Sequence, residues 1–305
     1  MLRGGAIGDF VVTLPLLDSL RRAFPDEQLE LVAHASIASL AVAGGLADAI
    51  HPIDSADFAP FFAHSAELPA HWSERFRRAA RVISFLHDPG EVLAANIRRS
   101  GAASWMQGPH RPADGGGLAA RQFAAPIEHA LGLTPGNPAE FRLRLDCAAH
   151  EEAEMDLVDS RWIAIHPGSG SPRKNWPVAR WIEVANSLLA GRKELRLLFV
   201  GGEADGLAIR EIEQALPRQR IRILENAPLP VVAARIASCE RFLGHDSGIS
   251  HLAASTGIPC LLLFGPSDAT VWSPPQPQVR IIPSPGGHLG ELPVTLVLAA
   301  LASAA

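Results

Sequence analysis

Cysteine is scarce in this sequence of 305 residues. There are three, Cys147, Cys239 and Cys260, odd in number, widely spaced and never in a C-x-x-C pair. That pattern argues against a disulfide framework and a structural zinc site, and it suits a reducing compartment. Long apolar runs are missing too. None reaches the roughly 18–20 residues that span a bilayer, and the longest, Pro293 to Ala305, opens with proline. Gly8 and Asp9 come early where a leader would carry an apolar core, so no signal peptide is expected and the expected location is cytoplasmic. Positive charge is not in excess: 27 Lys and Arg against 32 Asp and Glu leave a net charge of −5, which removes nucleic acid as a general partner.

What is present is a chain able to fold. Hydrophobic residues make up 48% and charged residues 19%, so burial can offset chain entropy. Glycine (26) and proline (25) are frequent enough for many short connections without making a linker-dominated chain. Apolar runs typical of buried parallel strands alternate with amphipathic segments of helical length, the βαβ pattern. In the first half the pattern predicts strands over 29–34, 49–53, 81–86 and 103–107, with helices over 11–24, 70–79 and 91–100. Pro25 closes the first of these helices. A breaker-rich stretch, Thr134 to Pro138, and a helix-like segment, His150 to Val158, bracket a change of domain around 146–160. The rhythm then restarts, with strands over 162–166, 195–200, 220–224, 241–244 and 260–264 and helices between them. The expectation is two α/β domains, 1–150 and 151–305, each Rossmann-like and doubly wound, facing each other across a cleft at the carboxyl ends of their strands.

Four segments carry chemistry. The first, Arg3 to Asp9, is a glycine-rich turn that opens a helix and lets backbone approach a ligand. Its glycine spacing is not the dinucleotide fingerprint. Asp9 has two open roles, a helix cap and a general base. The second, His166 to Pro177, offers the small residues Gly168, Ser169, Gly170 and Ser171 with Arg173 and Lys174 beside them. It describes an anion cradle without Walker spacing, or else a charged surface loop. The third, Phe199 to Asp205, places two acids after two glycines: Glu203 either bonds a sugar or ribose hydroxyl or serves in capping. The fourth runs from Gly244 through Asp246, Ser247, Gly248 and His251. A helix starting at Ser247 or Gly248 presents free N–H groups and a positive dipole end to phosphate, and Asp246 can accept from sugar hydroxyls. Adjacent His, Asp and Ser cannot form a hydrolase relay, and the glycine spacing is not a nucleophile elbow. His251 reads either as packing or as a ligand contact.

Together these segments resemble glycosyltransferase family 9, the bacterial ADP-heptose:lipopolysaccharide heptosyltransferases. The resemblance rests on Gly8-Asp9 with Thr13-Leu14-Pro15, His166-Pro167-Gly168 with Lys174-Asn175-Trp176-Pro177, Gly201 to Glu203, Asp246-Ser247-Gly248 with His251 to Ala254, and Phe264 to Asp268. These motifs stand in family order across most of the chain. The resemblance implies a GT-B fold, an acceptor-binding N-terminal domain and a donor-binding C-terminal domain. It implies two catalytic residues, Asp9 as base and Lys174 in contact with donor phosphate and sugar. Ser169, Gly170 and Ser171 would then line the phosphate loop and Glu203 would serve the ribose. Asp246, Ser247, Gly248 and His251 would hold donor sugar and diphosphate. The expected reaction is an inverting, metal-independent transfer with no cofactor, most simply of heptose from an ADP-linked donor to lipopolysaccharide core or a related glycan. Open alternatives are a hexosyltransferase or epimerase of the same fold, and a catalytically silent nucleotide-sugar-binding protein. Arginines at 75, 77, 78, 81, 98 and 99 form either a solvated face or a contact for anionic glycolipid at the inner membrane.

Overall fold

The computed structural model describes residues 1–145 and 161–303, so the segment read as helix-like, His150 to Val158, lies outside the described residues. The chain forms two compact units, Met1–Asn137 and Pro138–Ala305. The division thus falls at 137/138, ahead of the boundary expected at 150/151. Local contacts explain the difference: the Leu143 N–H donates to the Ser255 carbonyl at 2.8 Å, and Arg142 reaches Gln278 at 3.1 Å, tying this stretch to the second unit.

The first unit runs β1 (Leu2–Arg3), α1 (Ile7–Val11), α2 (Leu14–Ala23), β2 (Glu30–Ala33), α3 (Ala35–Ala43), β3 (Ala49–Pro52), α4 (Ala70–Arg78), β4 (Val82–Ser84), α5 (Val92–Arg99), β5 (Trp105–Gln107) and α6 (Ala119–Ala130). Its five strands are parallel in the order β3-β2-β1-β4-β5. Phe58, Phe61, Trp72 and Phe76 stack under this sheet beside Leu93 and Ile97. The helix expected over 11–24 is α2, which starts only at Leu14, and Val11 closes the separate short helix α1. Proline at position 15 lacks an N–H and its ring would strike the carbonyl four residues back, so the chain breaks after Val11. The Thr13 hydroxyl takes up the Phe10 carbonyl at 2.6 Å in the gap.

The second unit runs β6 (Arg161–Ile165), α7 (Val178–Gly191), β7 (Leu195–Gly201), α8 (Gly206–Ala215), β8 (Ile221–Glu225), α9 (Leu229–Ala237), β9 (Arg241–His245), α10 (Gly248–Thr256), β10 (Cys260–Phe264), α11 (Ala269–Trp272), β11 (Val279–Pro283) and α12 (Val294–Ala302). Its six parallel strands follow the order β11-β10-β9-β6-β7-β8. Ile165, Trp181, Val184, Leu197, Phe199 and Val297 belong to the core that joins this sheet to its helices. Strands with apolar side chains on both faces need cover on both, which is why they read as unbroken apolar runs.

Candidate active site

Strand order decides where a ligand can sit. In each unit the winding reverses beside the first strand of that unit, and in doubly wound sheets it is at such a reversal, outside the carboxyl ends of the strands, that a crevice takes a ligand. In the second unit the reversal lies between β6 and β9. The two loops leaving those strands are the small-residue segment 166–177 and the turn His245–Ser247. Two sequence-predicted segments eighty residues apart thus border one crevice.

Their side chains meet there. The Lys174 ammonium donates to Asp246 Oδ2 at 2.7 Å, with Asp246 only 6% exposed and Lys174 35%. At the very next residue α10 opens with Ser247 as N-cap, whose Oγ accepts the Ser250 N–H at 3.2 Å. That hydroxyl is therefore committed to the helix, and what Ser247 and Gly248 leave for a ligand is backbone N–H at a positive dipole end. Gly257, at φ +95° in the left-handed region, stops the same helix. In the facing loop the Ser169 hydroxyl lies 2.6 Å from Asn175 Oδ1 and 2.8 Å from the Ser171 carbonyl, so it braces the loop from within. Gly170 is open to solvent, and a Cβ there would meet nothing.

A buried imidazole holds both ends of that loop. His245 Nε2 accepts the Trp176 N–H at 2.8 Å, which leaves Nδ1 as the protonated nitrogen, donating to the Gly168 carbonyl at 3.1 Å. Burial pushes its pKa down to about 3, with the Gly168 carbonyl opposing and nearby His166 assisting, so the ring is neutral. His166 is likewise buried and held below the usual imidazole range, its Nδ1 2.8 Å from the Val200 carbonyl. Gly168 has no room for a side chain, because a Cβ would fall 1.7 Å from Asp205 Oδ1.

In the first unit the reversal point places the Gly4–Ala6 turn after β1. Gly5 adopts φ +93°, and a Cβ on it would approach Asp9 Oδ2 to 2.8 Å. Glycine is what allows the carboxylate to fold back over the turn, where Oδ2 accepts the Ala6 N–H at 3.1 Å. Asp9 is therefore a capping residue at the helix start. It keeps Oδ1 free of hydrogen bonds among the described residues, 3.8 Å from the Arg3 guanidinium, on a side chain 29% exposed.

This combination of motif and geometry has close parallels. The sequence matches the family description Glycosyltransferase family 9 (heptosyltransferase) over residues 98–293, more than half of the chain. The chain belongs to glycosyltransferase family 9. Among its relatives, lipopolysaccharide heptosyltransferase 3 of Escherichia coli is 22% identical over 293 residues, covering 88% of this chain and 83% of that protein. A family 9 glycosyltransferase structure from Veillonella parvula covers 99% of this chain and 96% of its own at TM-score 0.79 and 18% identity. An E. coli heptosyltransferase solved with ADP covers 100% of this chain and 98% of its own at TM-score 0.74 and 18% identity. The two-unit α/β fold is thus that of the GT-B heptosyltransferases, as expected from the motifs.

For this family 9 glycosyltransferase the structure brings Lys174, Asp246, Ser247 and Gly248 together around one crevice, with Ser169, Gly170 and Ser171 in the loop beside them. His251 is buried one turn inside α10. Glu203 follows β7 on an exposed single turn, and the second acid of its motif, Asp205, is the one that caps, accepting the Gly202 N–H at 2.8 Å. His245 and Asp205 carried no distinct sequence signal, since a histidine ending a strand and an acid opening a helix both read as ordinary packing or capping. The arginine cluster is mostly spent within the first unit. Arg75 pairs with Glu30, Arg78 with Glu74, Arg81 with Glu27 at 2.7 Å and Arg98 with Glu91 at 3.6 Å, while Arg99 donates to the Ala66 carbonyl. A cavity of about 760 Å³ opens at the amino-terminal edge of the first sheet, lined by Glu30, His51 and Arg75 among others, and includes none of the motif residues in the turn after β1. Among the described residues no helix is long and apolar enough to cross a membrane, and no group of His, Cys, Asp and Glu is arranged to hold a metal ion.

Proposed function

We propose that this protein transfers heptose from ADP-heptose to the core of lipopolysaccharide or a related glycan, with inversion at the anomeric carbon and without metal. The observation that carries this reading is the Lys174–Asp246 pair set against the open start of α10 at the reversal point of the second sheet. A nucleoside diphosphate leaving group develops negative charge as the glycosidic bond breaks. An ammonium group and a helix start are two fixed sources of positive potential for it. Asp246, released from Lys174 when phosphate takes up the ammonium, is free to accept from sugar hydroxyls. Ser169, Gly170 and Ser171 supply loop contacts, Glu203 the ribose contact, and His251 supports the helix from below.

In the first unit Asp9 acts as general base. Its Oδ1 takes the proton of the acceptor hydroxyl while that oxygen attacks the anomeric carbon from the face opposite ADP, which is the geometry of inversion. The first unit then serves the acceptor and the second the donor. The structure solved with ADP supports the choice of adenine nucleotide, as a property of that relative carried over here. The test is thermal stabilisation by ADP, UDP, GDP and CDP in parallel. At a concentration of ~100 Kd, ADP contributes about 2.7 kcal/mol, expected as a rise in Tm of about 5–10 °C. The other three nucleotides are expected to give much less; a larger rise with UDP overturns the ADP-linked donor.

A further inference from the structure

Arg3 is a charge buried where a hydrophobic residue would cost less. It is 2% exposed, with its guanidinium 4.4 Å from the Phe123 ring centroid and 5.6 Å from that of Phe85. Burial lowers its pKa to about 10, which still leaves it protonated at neutral pH. Taking such a charge out of water is unfavourable unless good hydrogen bonds compensate. Among the described residues its hydrogen-bond partner is a single backbone carbonyl: Nη2 donates to Asp9 O at 2.7 Å and Nε at 3.2 Å. In an uninterrupted helix that carbonyl would accept the Thr13 N–H, but Thr13 donates instead to Phe10 O at 2.9 Å, where α1 ends. The break imposed by Pro15 orphans the Asp9 carbonyl, and Arg3 satisfies it from inside the core.

The same guanidinium faces the carboxylate. Asp9 is thus held at three points, its carbonyl by Arg3, its Oδ2 by the Ala6 N–H, and its Oδ1 by the charge of Arg3 at 3.8 Å. We propose that Arg3 is the positioning residue for Asp9, fixing the direction in which Oδ1 meets the acceptor hydroxyl. This rests on the reading of Asp9 as general base. Arg3 touches no reacting atom. It acts on turnover through Asp9 and leaves the donor crevice of the second unit unaffected, because among the described residues its contacts lie in the first unit.

The experiment is a double-mutant cycle of Arg3→Lys with Asp9→Asn, with Arg3→Met as a second, uncharged replacement. Readouts are ADP release from ADP-heptose with heptose-deficient lipopolysaccharide as acceptor, calorimetric ADP affinity, and Tm. Arg3→Lys keeps the charge but cannot place two donors on one carbonyl, and it is expected to lower kcat by about 10–100-fold, the scale of a misplaced catalytic group. ADP affinity is expected to stay within about twofold, since the donor contacts are separate. In the Asp9→Asn background either Arg3 variant is expected to add less than about threefold, because it acts through a group already removed. Losses that multiply in the double variant, or a wild-type kcat in Arg3→Lys beside a slow Asp9→Asn, overturn the positioning role alone. Wild-type turnover in Asp9→Asn overturns the base assignment, and the proposal with it. A folded Arg3→Met with full kcat also overturns it.

Discussion

At the scale of single residues, the proposed donor site rests on one partly buried ammonium with a nearly buried carboxylate partner. On the proposed reading, truncating Lys174 would remove a charge-assisted bond to phosphate and leave Asp246 without its ammonium partner, adding negative charge where a diphosphate must come. Both effects weaken ADP binding. Lys174→Ala is expected to lower ADP affinity by about 10–100-fold in calorimetric titration, the worth of one or two hydrogen bonds to a charged group. Unchanged affinity would remove Lys174 from the donor site. Lys174 and Asp246 both stood out in the sequence as candidate donor residues, but their contact did not, since seventy-two residues separate them and only the strand order makes them neighbours. Asp9 was legible with two open roles, of which the structure shows the cap, made by one oxygen; the base role is proposed for the other oxygen, which has no hydrogen bond among the described residues.

At the scale of elements, the loop between β6 and α7 is shaped by a neutral histidine at the end of β9. Protonating His245 would place a second proton on Nε2, against the Trp176 N–H, inside a site closed to water. Its folded-state pKa, about 3, lies below its ordinary 6.5, so the unfolded chain takes up the proton first. The stability it contributes is complete above pH 6.5 and is lost as pH falls from there toward 3; His166, shifted in the same direction, adds to the loss. Urea unfolding at pH 7.5 and pH 5.5 is expected to show a lower midpoint at the acid value. His245→Gln is expected to be less stable at pH 7.5 and to show a smaller drop between the two. Equal wild-type midpoints contradict the assignment. The elements that periodicity missed have physical reasons. The α3 helix, Ala35–Ala43, is nearly all apolar and shows no polar face, and α6 carries Pro126 in its interior. Packing fixes both and not local pattern, α3 against β2 and β3 and α6 against α2. The Pro15 break was legible in principle, yet the apolar spacing through 11–24 outweighed it.

At the scale of the molecule, the restart of the strand–helix rhythm at Trp162 marked two α/β units in the sequence, while the strand orders that create the two reversal points could not be read from it. Alternation sets which residues are strands, whereas order within a sheet depends on crossovers that leave no mark on composition. The account assigns separable tasks to the two units, proton removal to the first and donor binding to the second. A change confined to Asp9 should therefore separate catalysis from donor affinity. The most direct measurement is kcat and ADP affinity of Asp9→Asn side by side. The expected result is turnover lower by about 10²–10⁴-fold, the usual worth of a general base, with ADP affinity within about twofold of the wild type. Undiminished turnover, or ADP affinity that falls in step with it, would contradict the account.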